Sequence, residues 1–407
     1  MEENPALTRF QVILMAVAAG ASAANVSFYQ PILKEIALSL KITESQAGLI
    51  SMLSQIGFGL GLFFITPLGD KVNRKKLILT LLSLLFIALL FMATAVSVLE
   101  VWLLSILIGL LSVSPQVIMP MAASLDHVTR GKTVGIIFSG ILTGILASRV
   151  ISGFIGEWLG WRYVYGLSAL LTLSIILLLR VNLPDVKSEF RGHYFQLLKS
   201  SLSQLKRFSL LRQTALAGGL LFGVFCSFWT TLTFYLSGAP FNFHPDAIGL
   251  FGFVAIAGPL LTPTFGKLAD RGNTTSLLFM SISLVILSLI QMKLFPGSVA
   301  MLAISVLLLN IGIPANQVTN VSLIYTLDET SNSRINTVYM TSYFIGGSVG
   351  TFVGLLCWKY GGWDWVSWQM MIFALAGMSV IFRIIRDLGR YRVTANYLFV
   401  RRRHAQQ

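Results

Sequence analysis

Apolar runs of about 20 residues recur through nearly all of this 407-residue chain, separated by short loops. A transmembrane helix needs roughly 20 such residues, and twelve segments of that kind can be laid along the sequence. They leave no length for a sizeable soluble domain. Only 11% of the residues are charged, against roughly 25% in soluble domains, too few to cover a surface in water. Lipid offers no hydrogen-bond partners, so each segment must satisfy its own backbone, and the expected fold is an all-α polytopic bundle.

The net charge of +14 would suit a nucleic-acid surface if it were clustered on one domain. Its placement says otherwise. With the N-terminus inside and the spans numbered in order, 24 of the 30 basic residues fall on one side, five fall opposite, and Arg149 lies within a span. This is the positive-inside pattern with both termini cytoplasmic. It predicts a multi-pass protein of the cytoplasmic (inner) membrane and no nucleic-acid partner. The acidic start Met1-Glu2-Glu3-Asn4 is unlike a cleavable signal. Cys226 and Cys357 fall inside spans, and the four His are scattered, so neither a disulfide framework nor a metal or other cofactor is expected. The expected oligomeric state is a monomer.

The chain reads as two copies of one unit. Pro67-Leu68-Gly69-Asp70-Lys71 closes span 2, and Gly266-Lys267-Leu268-Ala269-Asp270-Arg271 closes span 8. Asp126 corresponds to Asp328, Gln116 to Gln317, and Gly160-Trp161 to Gly362-Trp363, always 200 to 202 residues apart. The expected units are a six-helix bundle over 1–182, a cytoplasmic linker with an amphipathic stretch over 183–209, a second bundle over 210–386, and a basic, mobile tail over 387–407. Gly57, Gly59 and Gly61 in span 2 predict close approach of another helix. Pro314 in span 10, like Pro115 and Pro120 in span 4, predicts a kink.

These residues resemble the major facilitator superfamily of twelve-span transporters. Its loop signature after span 2 is matched by Leu68-Gly69-Asp70-Lys71 and Asn73-Arg74-Lys75, with Thr66, Lys71 and Asn73 as departures. Asn73 is expected to supply the left-handed turn that glycine gives there. Within the superfamily the chain is similar to bacterial drug:proton antiporters and sugar or drug efflux permeases. The antiporters' span 5 pattern is half present, with Ser148-Arg149 and Ser152-Gly153 replacing its Gly-Pro and Gly-Gly. Their span 4 Arg falls at Ser105. Both departures count against proton antiport. The resemblance implies a cytoplasmic latch between the halves: Asp70 at the start of span 11 beside Arg334, Arg74 or Lys75 on Asp126, Asp270 near Lys132, and Arg271 near Asp328. The alternative is that these charges only set topology, at about 0–1 kcal/mol each.

Arg149 is the single charge inside a span. A mid-membrane Arg costs about 2.5 kcal/mol or more and faces a cavity or partner. No Asp or Glu lies mid-span to pair with it. It is a structural pin, a counter-charge for an anionic or polar substrate, or part of proton coupling. Other cavity candidates are Asn25 and Tyr29 on span 1, sharing a face at i, i+4, Gln55 on span 2 and Gln116 on span 4. Trp229 is the candidate on span 7. Asn316, Gln317 and Asn320 follow on span 10, and Tyr339 and Tyr343 on span 11. Each amide alone could be interhelical glue; together they outline a wet, aromatic-lined site near the midplane.

The favoured function is secondary export of a small organic molecule by alternating access, neutral or anionic because no cavity carboxylate is available for a cation. Import or facilitated diffusion of an anionic metabolite, sugar or chelator is the alternative, with protons as a coupling ion to be tested. A membrane sensor is a remote third reading. Enzymatic chemistry is not expected, because no cluster of acids or His lies in the spans.

Overall fold

The structure is a computed structural model. It describes residues 7–126, 130–185, 194–328 and 331–404, apart from the side chains of residues 70, 130, 257, 259, 270 and 389–404. Among the described residues twelve helical spans are present, and spans 1, 4 and 8 are each broken into two helices. Span 1 is α1 (Arg9–Ala24) and α2 (Tyr29–Leu40), bent by 42°. Span 2 begins as α3 (Glu44–Leu60), passes through one π turn at Gly61–Ile65, and ends in a 3-10 turn at Thr66–Asp70. Spans 3 to 6 are α4 (Arg74–Thr94), α5 with α6 (Val98–Leu111, Pro115–Leu125), α7 (Arg130–Leu159) and α8 (Trp161–Asn182). The linker forms α9 (Tyr194–Arg207).

The second half follows the same plan. Span 7 is α10 (Ser209–Ser237), and span 8 is α11 with α12 (Pro245–Val254, Ala257–Asp270). Spans 9 and 10 are α13 (Thr274–Leu294) and α14 (Val299–Tyr325). Spans 11 and 12 run together in α15 (Asn332–His404), which turns at Gly362 with φ 60° and carries its helix on into the tail. Gly160, its counterpart before Trp161, has φ 98°. Only glycine enters that region without strain, so one turn closes both halves. Aromatic rings crowd outward beside both turns: Trp158 and Tyr163 at the first, Tyr360 and Trp365 at the second. Such rings mark a membrane–water boundary.

Each half has its own core. One joins Met15, Ile32, Leu82, Met121 and Trp161; the other joins Leu221, Phe228, Val306, Trp363 and Met370. Glycines set the tightest contacts. A Cβ on Gly57 would lie 2.0 Å from the Ile106 carbonyl oxygen, and one on Gly109 would lie 2.0 Å from that of Ser54. Span 2 thus packs on span 4 backbone to backbone, as its glycine spacing predicts.

One local expectation is corrected. Asn73 is not left-handed: its φ is −57°, and its side chain caps α4 by accepting from the Lys76 amide at 3.0 Å. The left-handed residue belongs to the second copy, at Gly272 with φ 84°. The helix continues through Pro314, since α14 runs unbroken from Val299 to Tyr325. The proline frees the Asn310 carbonyl four residues back, and Gly258 of α12 fits against it: a Cβ there would lie 1.6 Å from that oxygen.

The face carrying the N-terminus and α9 is called the linker face below; the opposite one, at Gly160 and Gly362, is the far face.

Candidate functional site

The break in span 1 positions the site. Asn25 caps α1 and turns inward on its own bundle, donating to Ala21 O at 2.8 Å and accepting from Ser168 Oγ at 2.9 Å. The i, i+4 face expected for Asn25 and Tyr29 is therefore lost, because residues 25–28 form turns rather than continuous helix. Released from that register, α2 leans on α10. The Tyr29 hydroxyl lies 3.0 Å from Ser51 Oγ, and Ser51 lies 2.7 Å from Thr230 Oγ1 across the two halves. Thr233 Oγ1 donates to the Gln30 carbonyl at 2.6 Å, and Lys34 donates to the Ser237 carbonyl.

Arg149 lies in this layer, 4% exposed. Its Nε donates to Gln30 Oε1 at 2.5 Å, and its guanidinium sits 4.2 Å from the centre of the Trp229 ring. A charge-assisted hydrogen bond contributes about 1.5–3 kcal/mol and a desolvated cation–π contact about 2 kcal/mol. Together these offset the roughly 2.5–3.5 kcal/mol cost of an Arg in the membrane. Arg149 thus needs no carboxylate. Among the described residues the guanidinium makes no further hydrogen bond. Two acids of the far face are engaged elsewhere: Glu44 accepts from Trp358 Nε1 at 2.8 Å, and Glu157 lies 3.1 Å from His244 Nδ1.

Below Arg149, toward the linker face, an aromatic wall descends the second half. Trp229, Phe225 and Phe222 sit one above another on α10, with centroids 6.2 and 5.8 Å apart. Phe222 stacks on Tyr343 at 4.0 Å, Tyr343 meets Tyr339 at 6.1 Å, and Phe344 reaches Phe58 of span 2 at 4.5 Å. Gln55 faces this wall, donating to Ser51 and Thr351 at 3.3 and 3.4 Å. Gln55 Oε1 and Trp229 Nε1 are buried without a hydrogen-bond partner. An unpaired buried polar atom costs about 1–3 kcal/mol, so these two favour a polar ligand.

The span 10 amides divide. Gln317 points toward span 11, 3.7 Å from Met340 Sδ and 3.5 Å from the Tyr343 hydroxyl. Asn320 donates to Asn316 at 2.8 Å, and Asn316 donates to Ser281 of α13 at 3.3 Å. That pair ties helices within the second half. Gln116 lies apart, lining a cavity of about 90 Å³ at the linker face with Arg74, Ser201, Arg334 and Thr337.

At the linker face the charges meet α9. Arg74 donates to Gly69 O, Pro120 O and Ser124 Oγ at 3.0–3.3 Å, pinning the turn after span 2 to the end of span 4. Asp126 accepts from Thr133 at 2.6 Å. Arg334 donates to Ser200 Oγ at 2.6 Å, and Asp328 pairs with Arg207 at 2.7 Å. A cation on Asp328 thus comes from α9, whereas Arg271, expected there, is exposed, as is Lys132. The Asp70 and Asp270 side chains lie outside the described residues. Sequence reasoning missed Gln30, Ser51, Thr230 and Phe222. The i, i+3, i+7 spacing of Phe222, Phe225 and Trp229 could have shown the wall; the role of Gln30 depends on the bend in span 1.

Comparison with known proteins decides the family. The Major Facilitator Superfamily model matches residues 15–351. The chain belongs to the major facilitator superfamily. As a member it is a multi-pass membrane transporter, and the superfamily fold accounts for the two matched halves. The transporter YgaY of Escherichia coli (strain K12) is 36% identical over 94% of this chain and 96% of its own. A bacterial homolog of the human lysosomal transporter Spinster, in an inward-facing and unoccupied conformation, superposes with a TM-score of 0.72 at 13% identity, over 92% of this chain and 96% of that one. A variant of the nucleoside transporter NupG gives 0.74 at 14% identity, over 92% and 98%. These two likenesses concern the fold alone.

Proposed function

We propose that this major facilitator exports a small neutral or anionic organic molecule across the cytoplasmic membrane by alternating access, with the linker face in the cytoplasm. The observation that carries the reading is Arg149, buried at the junction of the halves on Gln30 and Trp229 and paired with no acid among the described residues. A cation would meet like charge there; an anion or a strongly polar group would meet unspent guanidinium N–H groups and an aromatic wall. Gln55, Trp229, Gln317, Tyr339 and Tyr343 complete the proposed site. The export direction rests on the resemblance to efflux permeases. Uptake of an anionic metabolite uses the same site and stays the second reading, because Arg149 serves as counter-charge in either direction.

The gate proposal follows from the repeated loop. Asp70, Arg74, Asp126 and Arg334 would hold the cytoplasmic ends together when the transporter opens outward, with Asp270, Arg271, Lys132 and Asp328 as the mirror set. Asp70→Ala is then expected to raise the inward-open population, and unchanged cysteine labelling from the cytoplasmic side would count against the gate. Coupling to protons is tested by flux in proteoliposomes with and without a pH gradient. The cargo is tested by a thermal-shift screen of organic anions, neutral metabolites and cations on wild type and Arg149→Ala. Anions that stabilise only the wild type support the site; cations that stabilise both equally refute it.

A further inference from the structure

A second cavity lies outside the central layer, on the flank where α10 meets both arms of α15. Its volume is about 490 Å³, within the range of roughly 300–1,000 Å³ usual for ligand sites. Leu205, Leu216, Gly219, Ile345 and Phe373 line it, with Arg212 as its one charged residue. Leu216 and Ile345 are each more than half exposed, so the crevice opens sideways, toward lipid. It exists because the helices behind it touch backbone to backbone: a Cβ on Gly346 would lie 2.3 Å from the Gly219 carbonyl oxygen. No side chain of either glycine fills the notch outside the seam.

Length and charge specify an occupant. From Arg212 to Leu220 the crevice follows nine residues of α10, a rise of about 12 Å at 1.5 Å per step. Half of a hydrocarbon core of roughly 30 Å is ~15 Å, so the slot matches one leaflet. Its mouth lies at the linker face, where Arg212 is held by the Leu205 and Lys206 carbonyls at 2.6 and 3.2 Å yet stays exposed. Lys206 and Arg207 close α9 beside it. We propose that the crevice holds one acyl chain of an anionic phospholipid from this leaflet, with its head group on Arg212.

Native mass spectrometry of the purified full chain tests this, with phosphatidylglycerol and phosphatidylcholine of matched chains as probes. Wild type is expected to retain phosphatidylglycerol about fivefold better or more, the effect of roughly one basic group at a charged interface. Arg212→Gln should erase most of that preference, whereas Arg212→Lys should keep it. Ile345→Trp, which fills the slot from an exposed position, should lower retention of both lipids and leave the Arg212 corner intact. Equal retention of the two lipids by wild type, or wild-type retention of phosphatidylglycerol by Ile345→Trp, would overturn the proposal.

Discussion

The two ends of the molecule are joined in different ways. At the far face the halves bond directly: Ser51 to Thr230, Gln30 to Thr233, Lys34 to Ser237, Glu44 to Trp358. Glycines reinforce that closure, since a Cβ on Gly153 of α7 would lie 2.5 Å from the Pro245 carbonyl oxygen at the start of α11. At the linker face a cavity separates span 2 and span 4 from the start of span 11, and α9 reaches both sides. Tyr194 of α9 donates to Phe64 O, and its Ser200 and Arg207 engage Arg334 and Asp328. Short, buried hydroxyl bonds and backbone contacts hold one end; long, partly exposed side chains on a separate helix span the other. Buried bonds keep their strength in a low dielectric, whereas exposed ion pairs contribute about 0–1 kcal/mol and weaken in salt. Among the described contacts the far face is thus the firmer closure.

The largest test of that contrast locks the firm end. A Ser51→Cys, Thr230→Cys pair, made with Cys226 and Cys357 replaced by Ser, should cross-link and abolish flux, and reduction should restore it. Flux that persists through the cross-link would remove the far face as a gate. A wedge comes next. Gly153→Val overfills a backbone contact, at a cost of about 1–3 kcal/mol, roughly 5- to 150-fold in an equilibrium. Labelling of Thr230→Cys by an impermeant thiol reagent should rise accordingly, and unchanged labelling would mean the contact does not control closure. The smallest effect belongs to the linker face. Arg207→Gln should change its opening by no more than about 1 kcal/mol, and high salt should erase the difference. A larger, salt-insensitive effect would make α9 the stronger brace.

The membrane fold and its duplication were legible because both are written in periods the chain cannot hide: runs of about 20 apolar residues, and Gly160-Trp161 repeated as Gly362-Trp363, each glycine at positive φ. The site was legible only in part. Arg149 stood out as the single charge within a span, and Trp229 and Tyr343 fell on helical stripes. Asn25 and Asn316 misled, because an amide's spacing does not say which neighbour it faces; Ser168 and Ser281 within their own bundles take them. Gln30 was invisible for the opposite reason. It meets Arg149 only because residues 25–28 break the helix and let α2 lean across. The linker face was read as charges pairing between loops, and α9, which also contacts Asp328 and Arg334, appeared in the sequence only as an amphipathic stretch.

We propose that Arg149 reads an anionic or strongly polar cargo between two alternately opening faces. The most direct measurement is uptake by proteoliposomes of a radiolabelled aromatic carboxylate and a size-matched quaternary ammonium ion, for wild type and Arg149→Gln. The account predicts saturable carboxylate flux in wild type, an apparent affinity lower by about 30-fold or more in the variant, as for truncating one partner of a buried charge contact, and no cation flux in either. Cation flux in wild type that Arg149→Gln leaves unchanged would contradict it.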